Sequence, residues 1–424
     1  VLSVLLLAFP IQGEITDWTE RELAIIQSLS PQLPPLPVPP NPSNQYADDP
    51  AAAELGQLLF FDKGLSPTGT VSCATCHNPE KGWSDGLALS KGIGGTAFNA
   101  PTILNSAYGR WQFWDGRTDS LWSQALQPIE DAVEMNSSRT FALHRIANGP
   151  KLRKAWESFL GPFPDISSFK RFPQNACPPP TSSQNPFEIT EPSQDPRHLA
   201  WAEMNLADQN KINESYANLG KALEAYQRKI LSGPSAFDQF VAGLRKEEGG
   251  DLNALSGNAQ KGLRLFVGKG NCISCHFGPQ LTDGEFHNVG LSIADGVEFD
   301  DGRPTGIQKL RSEIFNGRGI YSDDSAWDSN QHLLYLFYNE HTFGAYKTPS
   351  LRNVARTAPY GHDGRFPDIE SVLEFYSELP GLPPVGHREE TLLPLNLNDE
   401  EKFSLIAFLK SLTGHRVPKA LQGS

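Results

Sequence analysis

A chain of 424 residues with 38% hydrophobic residues and a formal net charge of −13 can hold about two or three domains. Its acidity argues against nucleic acid or an anionic membrane as a partner. The charge fits a basic partner protein and, equally, a merely soluble surface.

The chain opens on an apolar run, Val1 to Phe9, with neither Met nor a basic stretch before it. It reads as the core of a secretory signal, so residues 1–15 are expected to be a truncated signal peptide. The run is too short to cross a bilayer as a helix; a buried N-terminal strand is the alternative. Asp17-Trp-Thr-Glu20 has capping-box form and opens a short helix to about Leu29. Pro31 to Pro42 is expected to run as an extended strap, so residues 16–49 form an N-terminal helix and strap. Pro50 starts a helix with Leu55, Leu58 and Leu59 on one face, and Gly64 ends it.

Cys73-Ala-Thr-Cys76-His77 follows, and the motif returns as Cys272-Ile-Ser-Cys275-His276. Cys-x-x-Cys-His is the attachment signal of c-type haem. Two thiols add across the haem vinyl groups, and the adjacent imidazole falls under the iron as proximal ligand. A zinc site would need the two pairs to converge, and nothing else here has zinc-finger spacing. A thioredoxin-like pair would follow a βαβ pattern, which is missing. Two covalently bound haem c groups are therefore expected. Covalent haem of this kind is fitted outside the cytoplasm, in agreement with an export signal and a periplasmic location.

Residues 163–197 are rich in Pro, Ser and Asn and read as irregular; within them Cys177 is left over, free or paired with another chain. A long helix is expected over 207–231, ended by Gly233-Pro234. Ser256 caps a helix through Leu263, Leu265 and Phe266. Gly56-Gln-Leu-Leu-Phe60 and Gly262-Leu-Arg-Leu-Phe266 then form a faint repeat, as if a cytochrome c unit had been duplicated. The last helix starts at Asn398 with Glu401 in capping position, buries Phe403, Ile406, Leu409 and Leu412, and stops at Gly414. Strand-like runs are few. The expected fold is mainly α, with cytochrome c-like domains over 50–235 and 236–424, each holding one haem.

Haem function turns on the sixth ligand. No His or Met occurs from Asn78 to Glu134, and Lys81 and Lys91 are ordinary surface charges, so the first haem is expected to be open to an oxidant. Only Met135 and Met204 exist, so no Met follows the second motif. His341, His362, His387, Tyr346, Tyr360 and Tyr376 remain as candidates there, and spacing does not choose among them.

Four stretches carry a family resemblance. They are Trp114-Asp-Gly-Arg117, Gln124 to Met135, Lys347-Thr-Pro-Ser-Leu-Arg-Asn353 and Thr357-Ala-Pro-Tyr-Gly-His-Asp-Gly364. Over roughly residues 50–413 the chain resembles the bacterial di-haem cytochrome c peroxidase superfamily, and within it the MauG and MbnH branch. Ordinary members carry a distal His where this chain has Ser90-Lys-Gly-Ile-Gly-Gly95, and a Met where it has Tyr376. The resemblance implies that His77 is proximal ligand of the peroxide-reacting haem, and that His276 and Tyr376 close the second. It makes Glu134 the distal acid–base group, with Gln124 and Pro128 beside it, and Trp114 the bridge between the haems. It implies a calcium ion held by Asn99 and the carbonyls of Thr357 and Pro359. His362 would hydrogen-bond near a haem propionate.

The expected function is a periplasmic oxidoreductase in which hydrogen peroxide raises both irons to a high-valent state that oxidises a side chain on a partner protein. The alternative is a cytochrome c peroxidase drawing electrons from a small cytochrome or cupredoxin. A non-enzymatic di-haem electron carrier is a third reading, and the ligand-poor stretch 78–134 weighs against it.

Overall fold

The computed structural model of the protein describes residues 17–31, 36–180, 193–291, 301–324 and 328–423. The expected signal segment lies outside them, as do parts of the strap and of the irregular stretch. Thirteen α-helices make up the described fold: α1 (Glu20–Ser28), α2 (Pro50–Phe61), α3 (Cys73–Cys76), α4 (Leu121–Glu130), α5 (Arg139–Asn148), α6 (Pro150–Leu160), α7 (Pro196–Ala202), α8 (Leu206–Gln227), α9 (Ala236–Leu244), α10 (Gly257–Val267), α11 (Arg303–Ser312), α12 (Ile369–Glu378) and α13 (Asp399–Ser411). The only strands among the described residues are β1 (Phe286–His287) and β2 (Tyr346–Lys347), antiparallel with Phe286 opposite Lys347. The fold is mainly helical, as the sequence indicates, and no described helix is long and apolar enough to cross a membrane.

Two helix crossings organise the molecule, and they are built alike. A Cβ on Gly56 of α2 would lie 1.9 Å from the Ala222 carbonyl oxygen of α8, and one on Gly262 of α10 would lie 1.9 Å from the Ser404 carbonyl oxygen of α13. Only glycine lets the backbones approach so closely. One turn on, Phe60 meets Tyr226 with ring centroids 5.2 Å apart, and Phe266 meets Phe408 at 5.1 Å. These rings are buried, and each is worth roughly 1.5–3 kcal/mol relative to exposure. The faint sequence repeat is thus a repeated crossing.

Most buried apolar side chains fall into two clusters. One gathers α2, α4, α5, α6 and α8 together with Phe315 and Val417 from much later in the chain. The other gathers α9, α10, α12 and α13 with Ile26 and Leu29 of α1. The first helix therefore packs on α9 and α10, and the described part of the strap does not stand apart. The Leu36 carbonyl accepts from the Tyr108 hydroxyl at 2.7 Å and the Pro39 carbonyl from Arg228 Nη1 at 2.8 Å.

Four helix details differ from the sequence reading. The N-cap of α1 is Thr19, boxed with Glu22, because Thr19–Glu22 offers the same spacing as Asp17–Glu20 two residues later. Asp62, not Gly64, closes α2, its side chain accepting from Gly64 N in the following turn. Helix α8 stops at Gln227, where the Arg228 guanidinium is pinned to Asp48. On α13, Phe403 points outward at 60% exposure, and Leu405, Phe408 and Leu409 are buried, with Leu412 buried just beyond the helix end. The Gly262 crossing decides which face turns in. Cys177 is buried and unpaired, which leaves no surface thiol for a second chain.

Candidate active site

Each Cys-x-x-Cys-His motif folds as one tight turn, with His77 N bonded to Cys73 O and His276 N to Cys272 O, both at 2.9 Å. Burial pushes the Cys73 and Cys272 thiols up to about 12, the opposite of what a redox dithiol needs. His77 Nδ1 sits 3.3 Å from the Trp83 carbonyl and His276 Nδ1 3.0 Å from the Leu281 carbonyl. A carbonyl can only accept, so Nδ1 carries the proton and Nε2 is left with its lone pair. Burial holds both imidazoles below their ordinary range, keeping them neutral. Trp83 and Leu281 both adopt left-handed backbone angles, φ 63° and 52°. Bulky residues rarely do so, and such strain gathers at functional sites. The donor set suits haem iron, which takes a neutral, oriented imidazole.

A single, mostly apolar cavity brings together Cys76, His77, Cys272 and His276 with Gln124, Pro128, Glu134, Trp114, Asn99, Thr357, Pro359 and Tyr376. Cys73 and Cys275 complete the two turns. His362 is not among the lining residues; its ring stacks on Tyr346 with centroids 3.8 Å apart. Burial lowers its imidazole to about 4.

At the His77 end, Gln124 and Pro128 are one turn apart on α4, so they share a face. Pro128 lacks an N–H, which leaves the Gln124 carbonyl without its helical partner. Glu134 stands on the loop after α4. Asp131 Oδ1 accepts from Glu134 N at 3.1 Å, and the Glu134 carbonyl accepts from Ile93 N at 2.8 Å. The stretch Ser90–Gly95 is therefore fastened to Glu134: a Cβ on Gly92 would lie 2.2 Å from the Glu134 carbonyl oxygen. Burial, with the charge of Asp131 adding and Arg117 opposing, pushes the Glu134 carboxyl up to about 7. A carboxyl poised there both takes and returns protons at neutral pH.

At the His276 end, α12 brings Tyr376 beside Cys272 and Cys275, and burial raises its phenol well above the ordinary range. Other buried tyrosines give their hydroxyls to carbonyls: Tyr216 to Leu126 at 2.7 Å and Tyr360 to Val354 at 2.8 Å. Among the described residues the Tyr376 hydroxyl has no hydrogen-bonding partner, although it lines the cavity. The residue is only partly buried and lines the cavity, so an iron held there could take its oxygen as a ligand.

Trp111 and Trp114 line the same cavity. Trp114 Nε1 donates to the Asn99 carbonyl at 2.9 Å. Asn99 Nδ2 donates to Leu87 O at 2.6 Å, which orients Oδ1 the other way. Thr357 and Pro359 line the same cavity as Asn99, and an amide oxygen with two backbone carbonyls is the hard, oxygen-only chemistry that calcium takes.

Sequence reasoning missed four charged residues that surround this cavity. Arg117 bonds Gln127 and Asp115 and lies 3.4 Å over Phe113. Lys347 Nζ donates to Trp111 O at 2.9 Å, and burial lowers its amine to about 8. Arg303 covers Trp111. His287 lies between Asp283 and Glu389, 2.8 Å from each, and those bonds, with Cys275 nearby, raise it to about 11. Cys275, Asp283 and His287 approach metal-ligand spacing, but Cys275 belongs to the haem motif. Arg117 and Lys347 were signalled by their places in Trp114-Asp-Gly-Arg117 and Lys347-Thr-Pro-Ser-Leu-Arg-Asn353; Arg303 and His287 come from segments with no local pattern.

The di-haem cytochrome c peroxidase family matches residues 50–176. The cytochrome-c peroxidase IdrP1 of Denitromonas iodatirespirans is 32% identical over 389 residues, covering 90% of this chain and 85% of that relative. The methylamine utilization protein MauG of Methylorubrum extorquens is 30% identical over 398 residues, covering 93% and 86%. Among solved structures, the diheme peroxidase BthA of Burkholderia thailandensis superposes with a TM-score of 0.63 at 21% identity, covering 93% of this chain and 98% of that one. A MauG-like protein associated with microbial copper homeostasis gives 0.60 at 24% identity, covering 93% and 97%. These two likenesses concern the fold.

Proposed function

The chain belongs to the di-haem cytochrome c peroxidase family, and from that premise we propose that it is a peroxide-dependent oxidase whose reductant is a side chain, Trp or Tyr, on a partner protein. That it is a haem-containing di-haem peroxidase or peroxide-dependent oxidase follows from the family. The reading of its two ends, its partner and its periplasmic location is ours. In this reading residues 50–235 and 236–424 are cytochrome c-like domains, each with one haem attached through its cysteine pair.

Bound haem supplies a redox-active iron that reacts with peroxide and stores oxidising equivalents. The chain's own groups do the rest. His77 and His276, aimed by the Trp83 and Leu281 carbonyls, are the proximal ligands. Glu134 takes a proton from one peroxide oxygen and returns it to the other, which leaves as water. Gln124 and Pro128 shape that end of the cavity and exclude competing solvent. Tyr376 closes the second haem, and an anionic oxygen ligand favours the oxidised metal. Trp114 lies between the two ends, its N–H on the Asn99 carbonyl. Asn99, Thr357 and Pro359 would hold a calcium ion through oxygen ligands. His362, stacked on Tyr346 just behind the lining residues Phe98 and Asn99, would hydrogen-bond near a haem propionate rather than ligate iron. The full balance is one peroxide, two protons and two electrons giving two waters, with both electrons from the partner.

The observation that carries this reading is the contrast between Glu134 at the His77 end and the partnerless Tyr376 phenol at the other. The test is to add peroxide to the diferric protein: both haem spectra should change at once. A requirement for prior one-electron reduction would count against it. The relatives named cytochrome-c peroxidase favour a second reading, with electrons from a small cytochrome. Sustained turnover with reduced cytochrome c would support that one instead.

A further inference from the structure

Two indoles line the cavity, and their surroundings differ in charge. Trp111 is buried at 5% exposure. Its ring meets the His332 ring edge-on, centroids 5.3 Å apart at 76°. Beyond His332 the chain carries Leu334, Tyr335, Phe337 and Tyr338, all exposed. Ring contact thus links the cavity through Trp111 to His332, which stands three and six residues before the exposed Tyr335 and Tyr338 in the chain. Over the face of Trp111 lies Arg303, its guanidinium carbon 4.6 Å from the ring centroid and 3.9 Å from that of Phe286. Arg303 Nη1 is fixed there by the carbonyls of Asp115 at 3.0 Å and Gly116 at 2.7 Å. Trp114 has no cation over its ring among the described residues, and its N–H rests on a carbonyl.

We propose that Arg303 is a positioning residue that confines oxidising equivalents to Trp114 by holding its positive charge over Trp111, which closes the side route to Tyr335 and Tyr338. The inference rests on the reading above, in which Trp114 lies on the path between the haems.

Taking an electron from an indole leaves a positive charge on the ring. A guanidinium fixed on its face attracts the neutral ring and repels the oxidised one, and low local dielectric strengthens the repulsion. A carbonyl on the indole N–H does the reverse. The charges facing Trp111 are Arg303 and the Lys347 ammonium at its carbonyl, against Asp115 and Glu285. Asp115 is itself paired with Arg117 at 3.1 Å, so the balance at Trp111 is cationic. Burial lowers Arg303 to about 10, which leaves it charged at neutral pH.

The leak that Arg303 blocks has a defined chemistry. When no partner is present, the peroxide-oxidised centre draws two electrons from Trp111. Water adds one oxygen to the indole, and two protons are released. Alternatively the electrons come one at a time from Tyr335 and Tyr338, each losing its phenolic proton. Peroxide is the oxidant in both cases and ends as two waters.

The test exposes the haem-loaded protein to peroxide without a partner and maps oxidised residues by peptide mass spectrometry. In the wild type, oxidation near Trp114 should precede that at Trp111, Tyr335 and Tyr338; the reverse order overturns the inference and needs no variant. Arg303→Gln should raise oxidation at Trp111, Tyr335 and Tyr338 by about tenfold per peroxide consumed. Arg303→Lys, which keeps the charge but not the fork, should stay near wild type. Adding Trp111→Phe to Arg303→Gln should return Tyr335 and Tyr338 to the wild-type level. Equal oxidation in Arg303→Gln and wild type, or in the Gln and Lys variants, overturns the proposal while leaving the peroxide chemistry intact. If peroxide alters the haem spectrum of none of the proteins, the functional reading fails and the inference falls with it.

Discussion

The His77 and His276 regions share a backbone plan. Both have a one-turn motif, an imidazole held by the carbonyl of a residue in left-handed conformation, and a helix carrying a crossing glycine just before the motif. They differ in the titratable group that lines the cavity near each motif. The first has a loop carboxyl poised near neutrality, the second a phenol. In the proposed reading a duplicated frame with different neighbouring groups would let one chain hold two irons for different tasks, with frame and reactivity set by different residues.

That separation can be broken in graded ways. Removing a cysteine pair should have the largest effect. Cys73→Ala with Cys76→Ala should leave one covalent haem and abolish the peroxide reaction. Cys272→Ala with Cys275→Ala should also leave one haem, but with peroxide still reacting at the other. Pyridine haemochrome content and stopped-flow spectra read both. Next comes Glu134→Gln, which should slow the peroxide reaction by about 10²–10⁴-fold while both haems remain. In the wild type the rate should rise with pH through about 7 as the carboxyl ionises and becomes able to accept a proton. The Gln variant should show no such step.

Changes in the frame should be smaller and alike in the two halves. Gly56→Ala and Gly262→Ala each force a methyl into a carbonyl at 1.9 Å, so each should cost about 1–3 kcal/mol in denaturant melts. Unequal costs would mean that the two crossings are not equivalent. The smallest effect belongs to Phe403→Ala on the exposed face of α13, within about 0.5 kcal/mol. Phe408→Ala on the buried face should cost about 3–5 kcal/mol.

The α13 pair also shows where sequence reading reached its limit. Phe403, Ile406 and Leu409 follow helical spacing, but so do Leu405, Phe408 and Leu412. A helix apolar on two faces does not say which turns inward; the partner glycine 140 residues earlier does. The haem motifs were fully legible, because they are contiguous and chemically specific. So were the lead-in repeat, the Ser256 cap of α10 and the capping box of α13 up to the first residue of each helix. Residue spacing did not choose between Trp111 and Trp114; the family resemblance did. The surroundings of Trp111 were not legible, because Arg303 and Lys347 reach it from about 190 and 240 residues away in the chain, only through folding. Spacing left Tyr376 as one of six candidates and only the family resemblance singled it out; α12 sets it beside the second motif.

The central claim is that one haem is open and the other is closed by Tyr376. Electron paramagnetic resonance of the diferric protein, wild type and Tyr376→Phe, tests it most directly. The account predicts one high-spin and one low-spin signal in the wild type, with the low-spin signal lost in the variant. Two low-spin signals in the wild type, or an unchanged spectrum in Tyr376→Phe, would contradict it.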